Sequence, residues 1–171
     1  MRIAAFFVGS PGVGKTTLVR AVLGGKLEFV EKPKWTLAAP SMCAAGHYRG
    51  EIFDGADRVP YNGVEDALVY WEQHLGDRRV TIFDGDRFSY LKVAHRLQAS
   101  GLVPRCVMLR ANDEVLARRR LARGSNQSIT WMKGRVTKAE KFFAAFQQSI
   151  SLDATLPIDE LRPQVLRFFE Q

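Results

Sequence analysis

The sequence predicts an α/β fold in which a parallel sheet is flanked by helices. An apolar run opens the chain at residues 2–8, and similar runs recur at 79–83 and 103–109. Segments with the apolar spacing of helices separate these runs. Strands that alternate with helices form βαβ units with parallel strands. A length of 171 residues suits one domain, which we expect to span residues 1–171.

Element boundaries follow from the apolar spacing and from Gly or Asn at segment ends. The predicted strands are Arg2–Val8, Arg79–Phe83, Val103–Leu109 and Thr155–Ile158. The predicted helices are Lys15–Leu23, Asn62–Leu75, Phe88–Ala99, Asn112–Arg123, residues 135–150 and Arg162–Glu170. Within residues 26–60 the pattern is ambiguous, with short extended pieces expected near Trp35–Ala39 and Met42–His47.

Composition and charge limit the classes of function. No apolar run approaches the roughly 20 residues that span a bilayer, so we expect a cytoplasmic protein without a membrane partner. Cys43 and Cys106 lack metal-type spacing and are expected to be reduced thiols. The net charge is +7, and residues 101–150 hold ten Lys or Arg against three Asp or Glu. Such a segment attracts nucleotide phosphates or a nucleic-acid backbone; the alternative is a solvated face that aids solubility.

The segment Gly9-Ser-Pro-Gly-Val-Gly-Lys-Thr16 matches the phosphate-binding loop G-x-x-x-x-G-K-[ST] at every fixed position. It lies between an apolar strand and a helix, so backbone N–H groups and the helix dipole would point at the β-phosphate of ATP. We expect Lys15 to reach the β- and γ-phosphates and Thr16 to bind Mg²⁺. The predicted nucleotide-binding residues are Gly9, Gly12, Val13, Gly14, Lys15, Thr16 and Thr17.

A second acidic site follows the strand at residues 79–83. The strand ends in Asp84, which is the Walker B pattern, and a neighbouring parallel strand would place Asp84 near Mg²⁺. Asp86 and Arg87 follow at the strand exit, where ligands bind in open α/β sheets. Either Asp84 or Asp86 could be the general base toward an acceptor hydroxyl. Asp54 and Asp57 compete for that role; a plain Asp-Gly turn is the structural alternative.

Arginines cluster in a predicted lid over about residues 118–138. Arg119 and Arg123 are four positions apart and share one face of a helix, and a polar segment, Gly124–Thr130, follows them. Arginines that close over the γ-phosphate stabilise the charge of phosphoryl transfer, and a lid excludes water. We therefore predict Arg119 and Arg123 as catalytic residues. Arginines near a helix C-terminus also complement the helix dipole, which would explain one or two of them.

The phosphate loop, the acidic strand end and the lid together resemble the nucleoside and nucleotide kinases of the P-loop superfamily. The resemblance covers most of the chain and implies a three-layer fold with about five parallel strands and transfer of the ATP γ-phosphate. Asp86-Arg87-Phe88 resembles the Asp-Arg-aromatic motif of thymidylate kinases, in which the Arg holds the acceptor. The serine downstream in that family is absent, because Leu91 occupies its place.

A second set of segments is similar to the phage 5-hydroxymethyluracil DNA kinases. The segments are His47–Gly50, Gly55–Arg58, the helix around Trp71 and Asp84–Arg87. This resemblance implies phosphorylation of a hydroxymethyl group on a base within DNA, in the host cytoplasm if the chain is phage-encoded. We expect the loop Arg49–Pro60 to cover the site. The predicted acceptor-binding residues are Arg49, Asp54, Asp57, Arg58 and Phe88.

DNA chemistry would require a base to be flipped out and stacked on aromatic rings. Rings are available for this in predicted loop or lid regions, although ordinary packing explains each one singly: Tyr48, Phe53, Tyr61, Phe88 and Trp131. One alternative is a kinase for free deoxynucleosides or nucleoside monophosphates. Another is a P-loop ATPase or switch, which is disfavoured because no Asn-Lys-x-Asp guanine motif occurs. The sequence leaves the oligomeric state open.

Overall fold

The structure, a computed structural model, describes all residues from Met1 to Gln171. Two short 3₁₀ turns, Ala56–Arg58 and Tyr61–Gly63, accompany the regular elements. The strands are β1 Arg2–Gly9, β2 Leu27–Val30, β3 Trp35–Ala38, β4 Met42–Ala45, β5 Val80–Asp84, β6 Leu102–Arg110 and β7 Ser149–Asp153. The helices are α1 Lys15–Leu23, α2 Val64–His74, α3 Leu91–Ala99, α4 Asp113–Ala122, α5 Ile129–Ala144 and α6 Ile158–Glu170.

One seven-stranded sheet runs through the chain in the order β2-β3-β4-β5-β1-β6-β7. The five strands from β4 to β7 in this order are parallel, which confirms the predicted fold class. The hairpin β2–β3 adds two antiparallel strands at one edge. In the register, Phe7 lies beside Asp84 and Gly9 beside Leu109. The carboxyl ends of β1, β5 and β6 therefore meet where open α/β sheets bind ligands.

Helices cover both faces of this sheet and bury two apolar clusters of similar size. On one face α1 and α6 pack through residues such as Val19 and Val165. On the other face α2, α3 and α5 contribute Trp71, Leu97 and Phe142. Because β1 is buried on both faces, its residues are almost uninterruptedly apolar, as expected for a central parallel strand. The result is the three-layer arrangement that the sequence predicts.

Several predicted boundaries are wrong. The final strand is Ser149–Asp153 and not Thr155–Ile158, because Ile150 and Leu152 pair with β6 while Thr155 closes a turn on the Asp153 carboxylate. Helix α5 begins at Ile129 instead of residue 135, since the Ser128 hydroxyl accepts a bond from the backbone N–H three residues on. Helix α6 begins at Ile158, earlier than its predicted start at Arg162. Helix α3 begins at Leu91, later than its predicted start at Phe88.

Other local predictions are confirmed. Asn112 caps α4, with its side chain accepting from the N–H of Val115 at 2.9 Å. The extended pieces predicted at Trp35–Ala39 and Met42–His47 are β3 and β4. Both cysteines are free and buried, and burial raises the pKa of the Cys43 thiol to about 12.

None of the six helices combines the length and the apolar character that a membrane crossing requires.

Phe88, predicted from the Asp-Arg-aromatic resemblance to bind the acceptor, packs in the core. Its ring is fully buried, and its centroid lies 5.0 Å from that of Phe83, which stacks in turn on Phe6. Phe88 lies in the turn before α3, and its ring packs in the apolar cluster between the helices and one face of the sheet. A ring with no exposed face has no surface to offer an acceptor, so the structure gives Phe88 a packing role.

This role predicts a large stability effect. We expect Phe88→Ala to lower the free energy of unfolding by about 3–5 kcal/mol, since a buried ring leaves both lost transfer energy and a cavity. Urea unfolding followed by circular dichroism measures the change. The matched control is Phe53→Ala, whose ring is 75% exposed and whose loss should cost within about 0.5 kcal/mol. Equal stabilities of the two variants would contradict the core placement.

Candidate active site

The phosphate loop joins β1 to α1 with a wrapped backbone. Gly9, Gly12 and Gly14 adopt φ values of 141°, 81° and 107°, which L side chains rarely adopt. At Gly9 a Cβ atom would lie 2.4 Å from the backbone oxygen of Leu109, so the close approach of β1 and β6 also requires glycine there. The loop leads directly into the N-terminus of α1, where free backbone N–H groups and the helix dipole favour an anion.

Lys15 is folded back onto this loop. Its Nζ donates to the backbone oxygens of Gly9 at 3.0 Å and Ser10 at 3.1 Å. Burial lowers the pKa of the Lys15 ammonium, and the positive charge of Arg123 acts in the same direction. The negative charges of Asp84, Asp86 and Asp57 oppose this shift. The ammonium therefore lies among three carboxylates with only carbonyl oxygens as direct partners, and phosphate oxygens would satisfy it better.

Asp84 ends β5 as a buried carboxylate that receives three hydrogen bonds. The Thr16 hydroxyl donates to its Oδ2 at 2.7 Å. Its Oδ1 accepts from the Tyr48 hydroxyl and from the backbone N–H of Ala56, both at 2.8 Å. A buried carboxylate needs hydrogen-bond donors in place of its lost hydration, so these three donors fix the position of the Asp84 side chain.

The pair formed by Thr16 and Asp84 suits a magnesium ion. A hydroxyl oxygen and a carboxylate oxygen lie 2.7 Å apart at the end of the phosphate loop. Hard oxygen donors of this kind are what Mg²⁺ prefers, with substrate phosphates and waters completing its shell. The two residues predicted to bind metal are therefore brought together in a chemically suitable way.

Tyr48, which the sequence offered as a ring for stacking on a base, has a different position. Its side chain is fully buried, and its hydroxyl is the donor to Asp84. Burial, followed by the charge of Asp84, raises the pKa of Tyr48 well above its ordinary value, so the phenol keeps its proton. No motif marks this contact in the sequence, because it arises from the parallel pairing of β4 with β5.

The carboxylate of Asp86 is held by cations from α5. The Arg135 guanidinium donates to its Oδ2, and the Lys138 ammonium lies 4.0 Å from its Oδ1 and 3.2 Å from its backbone oxygen. Arg135 and Lys138 lie within the predicted lid, but the sequence did not indicate which side chain either of them contacts. The contact joins α5 to the exit of β5 and neutralises Asp86.

Asp57 and Arg87 face each other nearby. The Nε of Arg87 lies 3.9 Å from the Asp57 carboxylate, and its guanidinium lies over the Tyr61 ring at 3.5 Å. The Asp57 side chain is 75% exposed and accepts no hydrogen bond from protein donors. Partial loss of hydration in the cleft, then the charge of Asp84, raise the pKa of Asp57; Arg87 and Lys15 oppose the shift. Asp57 is thus the least engaged carboxylate of this group.

The arginines of the predicted lid differ in which parts of the chain they contact. Arg119 spans two segments, donating to the backbone oxygens of Val13 and Ala154, both at 2.8 Å. The side chain of Arg120 approaches Gly12, where a Cβ would meet it at 3.1 Å. Arg123, at the end of α4, is exposed and acts on Lys15 through its charge. The α4 end of the predicted lid therefore lies directly over the phosphate loop.

Three of the predicted acceptor residues form local contacts within residues 26–60. Arg49 pairs with Glu31 and lies over the Phe29 ring at 4.6 Å. Arg58 pairs with Glu51. Asp54 is buried, and its Oδ2 accepts from the backbone N–H groups of residues 50 and 51, which closes the turn. These contacts order the loop that covers Asp84 and leave Asp54 Oδ1 without a partner.

The bond from Tyr48 to Asp84 makes a testable contribution. We expect Tyr48→Phe to lower the free energy of unfolding by about 1.5–3 kcal/mol, because a buried carboxylate loses one of its three donors. Guanidinium unfolding measures the loss. Tyr90→Phe, which removes a hydroxyl without a hydrogen bond from a ring that is 41% exposed, serves as the control and should be near neutral. A Tyr48→Phe protein as stable as the parent would show that the bond adds nothing.

Comparisons with known proteins bear on the fold. No protein-family model matches the sequence, and no curated protein matches it significantly. Solved structures do resemble the fold. A gluconokinase from Sinorhizobium meliloti 1021 is 16% identical, with a TM-score of 0.57 over 99% of this chain and 94% of its own. A sugar kinase from Janibacter sp. HTCC2649 is 17% identical, with a TM-score of 0.60 over 99% and 95%.

A shikimate kinase from Aquifex aeolicus vf5 is 12% identical and has a TM-score of 0.50 over 98% of this chain and 96% of its own. At such low identities the likeness concerns the fold alone. In each case nearly the whole of both chains is covered, so the hairpin, the sheet and the lid region are included in the match. The chain therefore shares its three-layer α/β fold with these three kinases.

Proposed function

We propose that this protein is an ATP-dependent kinase that transfers the γ-phosphate to a hydroxyl group. The observation that carries the proposal is the juxtaposition of the phosphate loop, Lys15 and the Thr16–Asp84 pair at the carboxyl ends of adjacent strands. Phosphoryl transfer is catalysed mainly by positioning and by charge stabilisation, and these groups supply both. The fold shared with three kinases supports the same reaction class.

In this mechanism each residue has a limited task. The loop glycines Gly9, Gly12 and Gly14, with the N–H groups of Val13 to Thr17, hold the phosphates of ATP. Lys15 leaves its carbonyl partners and neutralises the β- and γ-phosphates. Thr16 and Asp84 would hold Mg²⁺, which supplies charge neutralisation on the phosphate oxygens when bound. Arg119 and Arg123 extend the positive charge over the transferred group.

The general base that we propose is Asp57. Asp84 is excluded from this task because all of its donors are structural and its oxygens face Thr16, Tyr48 and Ala56. Asp86 is held in ion pairs with two cations of α5, so its carboxylate oxygens are already engaged. The Asp57 carboxylate is free, its pKa is raised, and Arg87 orients it. A carboxylate of raised pKa is better matched to removing a proton from the acceptor hydroxyl.

The acceptor that we propose is the hydroxymethyl group of 5-hydroxymethyluracil within DNA, with Arg49, Asp54 and Arg58 shaping the acceptor side. The segments that resemble those of phage 5-hydroxymethyluracil DNA kinases and the basic segment of residues 101–150 support it. A second candidate is a free small molecule, such as a deoxynucleoside or a nucleoside monophosphate. The fold shared with gluconokinase and shikimate kinase, whose names denote small acceptors, favours this candidate.

Transfer of radiolabel from γ-labelled ATP distinguishes these acceptors. We expect label in DNA that contains 5-hydroxymethyluracil and none in the same DNA with thymine. Label found only in free nucleosides or nucleotides would replace the first candidate by the second. Phosphate release with no labelled acceptor would mean an ATPase and would contradict the proposed function.

Lys15→Ala is the control variant for that assay. We expect it to abolish transfer, with a loss of at least about 10³-fold in kcat, because no other cation lies in the phosphate loop to neutralise the phosphates. Its circular dichroism and unfolding midpoint should stay close to the parent. Wild-type turnover by this variant would show that the loop is not the catalytic centre.

Replacement of Asp57 tests the base. We expect Asp57→Asn to lower kcat by about 10²–10⁴-fold, whereas Asp86→Asn should have a smaller effect. Because the pKa of Asp57 is raised from 3.8, wild-type activity should fall as the pH drops through that raised value, where the base becomes protonated. The Asn variant should lack this acid limb. An acid limb that is unchanged in Asp57→Asn would assign the base elsewhere.

A further inference from the structure

Aromatic and cationic side chains alternate on the surface beside Asp86. This cation–aromatic surface belongs to three segments that are distant in sequence: the turn before α2, the turn after β5 and helix α5. The mechanism proposed above assigns a role only to Arg87 among its residues. The cation–aromatic surface consists of Tyr61, Arg87, Tyr90, Trp131, Arg135 and Lys138.

The members of this surface form one continuous chain of contacts. The Arg135 guanidinium lies 4.7 Å from the centroid of the Trp131 ring and 3.4 Å from the Tyr61 hydroxyl. On the other side of Tyr61, the Arg87 guanidinium lies 3.5 Å from the ring centroid. The Lys138 ammonium, which shares Asp86 with Arg135, lies 3.9 Å from the Tyr90 ring. The three cations are therefore held in place by rings.

The rings of this surface remain exposed to solvent. Tyr61 is 62% exposed, Tyr90 41% and Trp131 38%. Arg135 and Lys138 pair with Asp86, and Arg87 lies 3.9 Å from Asp57, so three positive charges face two carboxylates and one positive charge is in surplus. These rings and cations contact one another, and contiguous exposed apolar surface that is rimmed by charged groups marks binding sites.

We infer that this surface binds an unpaired strand of DNA, with bases stacking on the rings and phosphates against the cations. The inference rests on the proposed function, because the strand would run past Asp57 and Asp86 and would flank the acceptor nucleotide. Every base has a π-face that can stack on an aromatic ring, and cations track the backbone between bases. In a duplex the base faces are already stacked, so the rings would find no partner.

An acidic peptide is the competing occupant, since it would satisfy the cations. It would leave the three rings without partners, whereas an unpaired strand satisfies both kinds of group at once. The alternation of ring and cation along the surface therefore favours nucleic acid. Poly-L-glutamate provides charge without bases and separates the two cases in the test.

The test measures binding of fluorescent oligothymidylate of about 12 nucleotides by anisotropy, without ATP or Mg²⁺. We expect Trp131→Ala and Tyr61→Ala each to weaken binding by roughly 5-fold or more, the loss of one stacked base. Lys138→Ala should reduce the slope of log affinity against log salt by about 0.7, the share of one phosphate contact on a single strand. Unfolding midpoints confirm that each variant is folded.

Two exposed residues outside the surface provide matched controls. Leu156→Ala removes an exposed apolar side chain from the turn before α6, and Arg167→Ala removes an exposed cation from α6, in the opposite helical layer. Both should bind oligothymidylate as the parent does. A duplex of equal length should bind more weakly, and poly-L-glutamate should compete poorly.

Unchanged affinity in Trp131→Ala and Tyr61→Ala would overturn the inference, and so would equal binding of duplex or equal competition by poly-L-glutamate. These results leave the proposed kinase reaction untouched, because the assay contains no ATP. Conversely, tight oligothymidylate binding with no transfer of label to any acceptor would support the binding surface and contradict the proposed kinase activity.

Discussion

The buried carboxylate of Asp84 is the constraint on which the site depends. Moving an ionised group out of water costs several kcal/mol unless donors replace its hydration. Here the donors come from three separate parts of the chain: Thr16 in α1, Tyr48 beyond β4 and the backbone of Ala56 in the covering loop. Satisfying one carboxylate therefore fixes the phosphate loop, the sheet edge and the loop relative to each other.

Once Asp84 is fixed in this way, the neighbouring carboxylates differ in what they can do. Asp86 is drawn to α5 by Arg135 and Lys138, so it joins the helix to the sheet. Asp57 lies across the cleft with one weakly placed cation, Arg87, at 3.9 Å. Three acids of the same chemistry thus have three environments: Asp84 is fully hydrogen-bonded, Asp86 is held in ion pairs, and Asp57 accepts no hydrogen bond.

The sequence predicts those parts of this protein that depend on local pattern. The phosphate loop has fixed glycine spacing, β1 is apolar on both faces, and Asn112 is a local cap, so each could be located without a structure. Tyr48, in contrast, reaches Asp84 only because β4 pairs with β5, a contact between residues 36 positions apart. Phe88 was misassigned for the same reason, since only the packing shows which way its ring points.

The strand errors also have physical causes. Leu27–Val30 is a short edge strand with Glu28 in it, so its alternation is too brief to distinguish from a loop. At the other edge, Ser149–Asp153 carries two serines, and Thr155–Ile158 appeared the better strand by composition. Ser149–Asp153 is the strand because it pairs with β6, and this tertiary contact cannot be recognised from the local sequence.

The close approach of Gly46 and Gly55 has a consequence for homologues. A Cβ on Gly46 would lie 2.0 Å from the backbone oxygen of Gly55, and a Cβ on Gly55 would lie 2.8 Å from Asp84 Oδ2. A homologue whose covering segment is closed over the carboxylate needs glycine at both positions. A homologue in which this segment is open does not need glycine at either position. Joint retention of this pair in a homologue would therefore indicate that its covering segment is closed over the carboxylate.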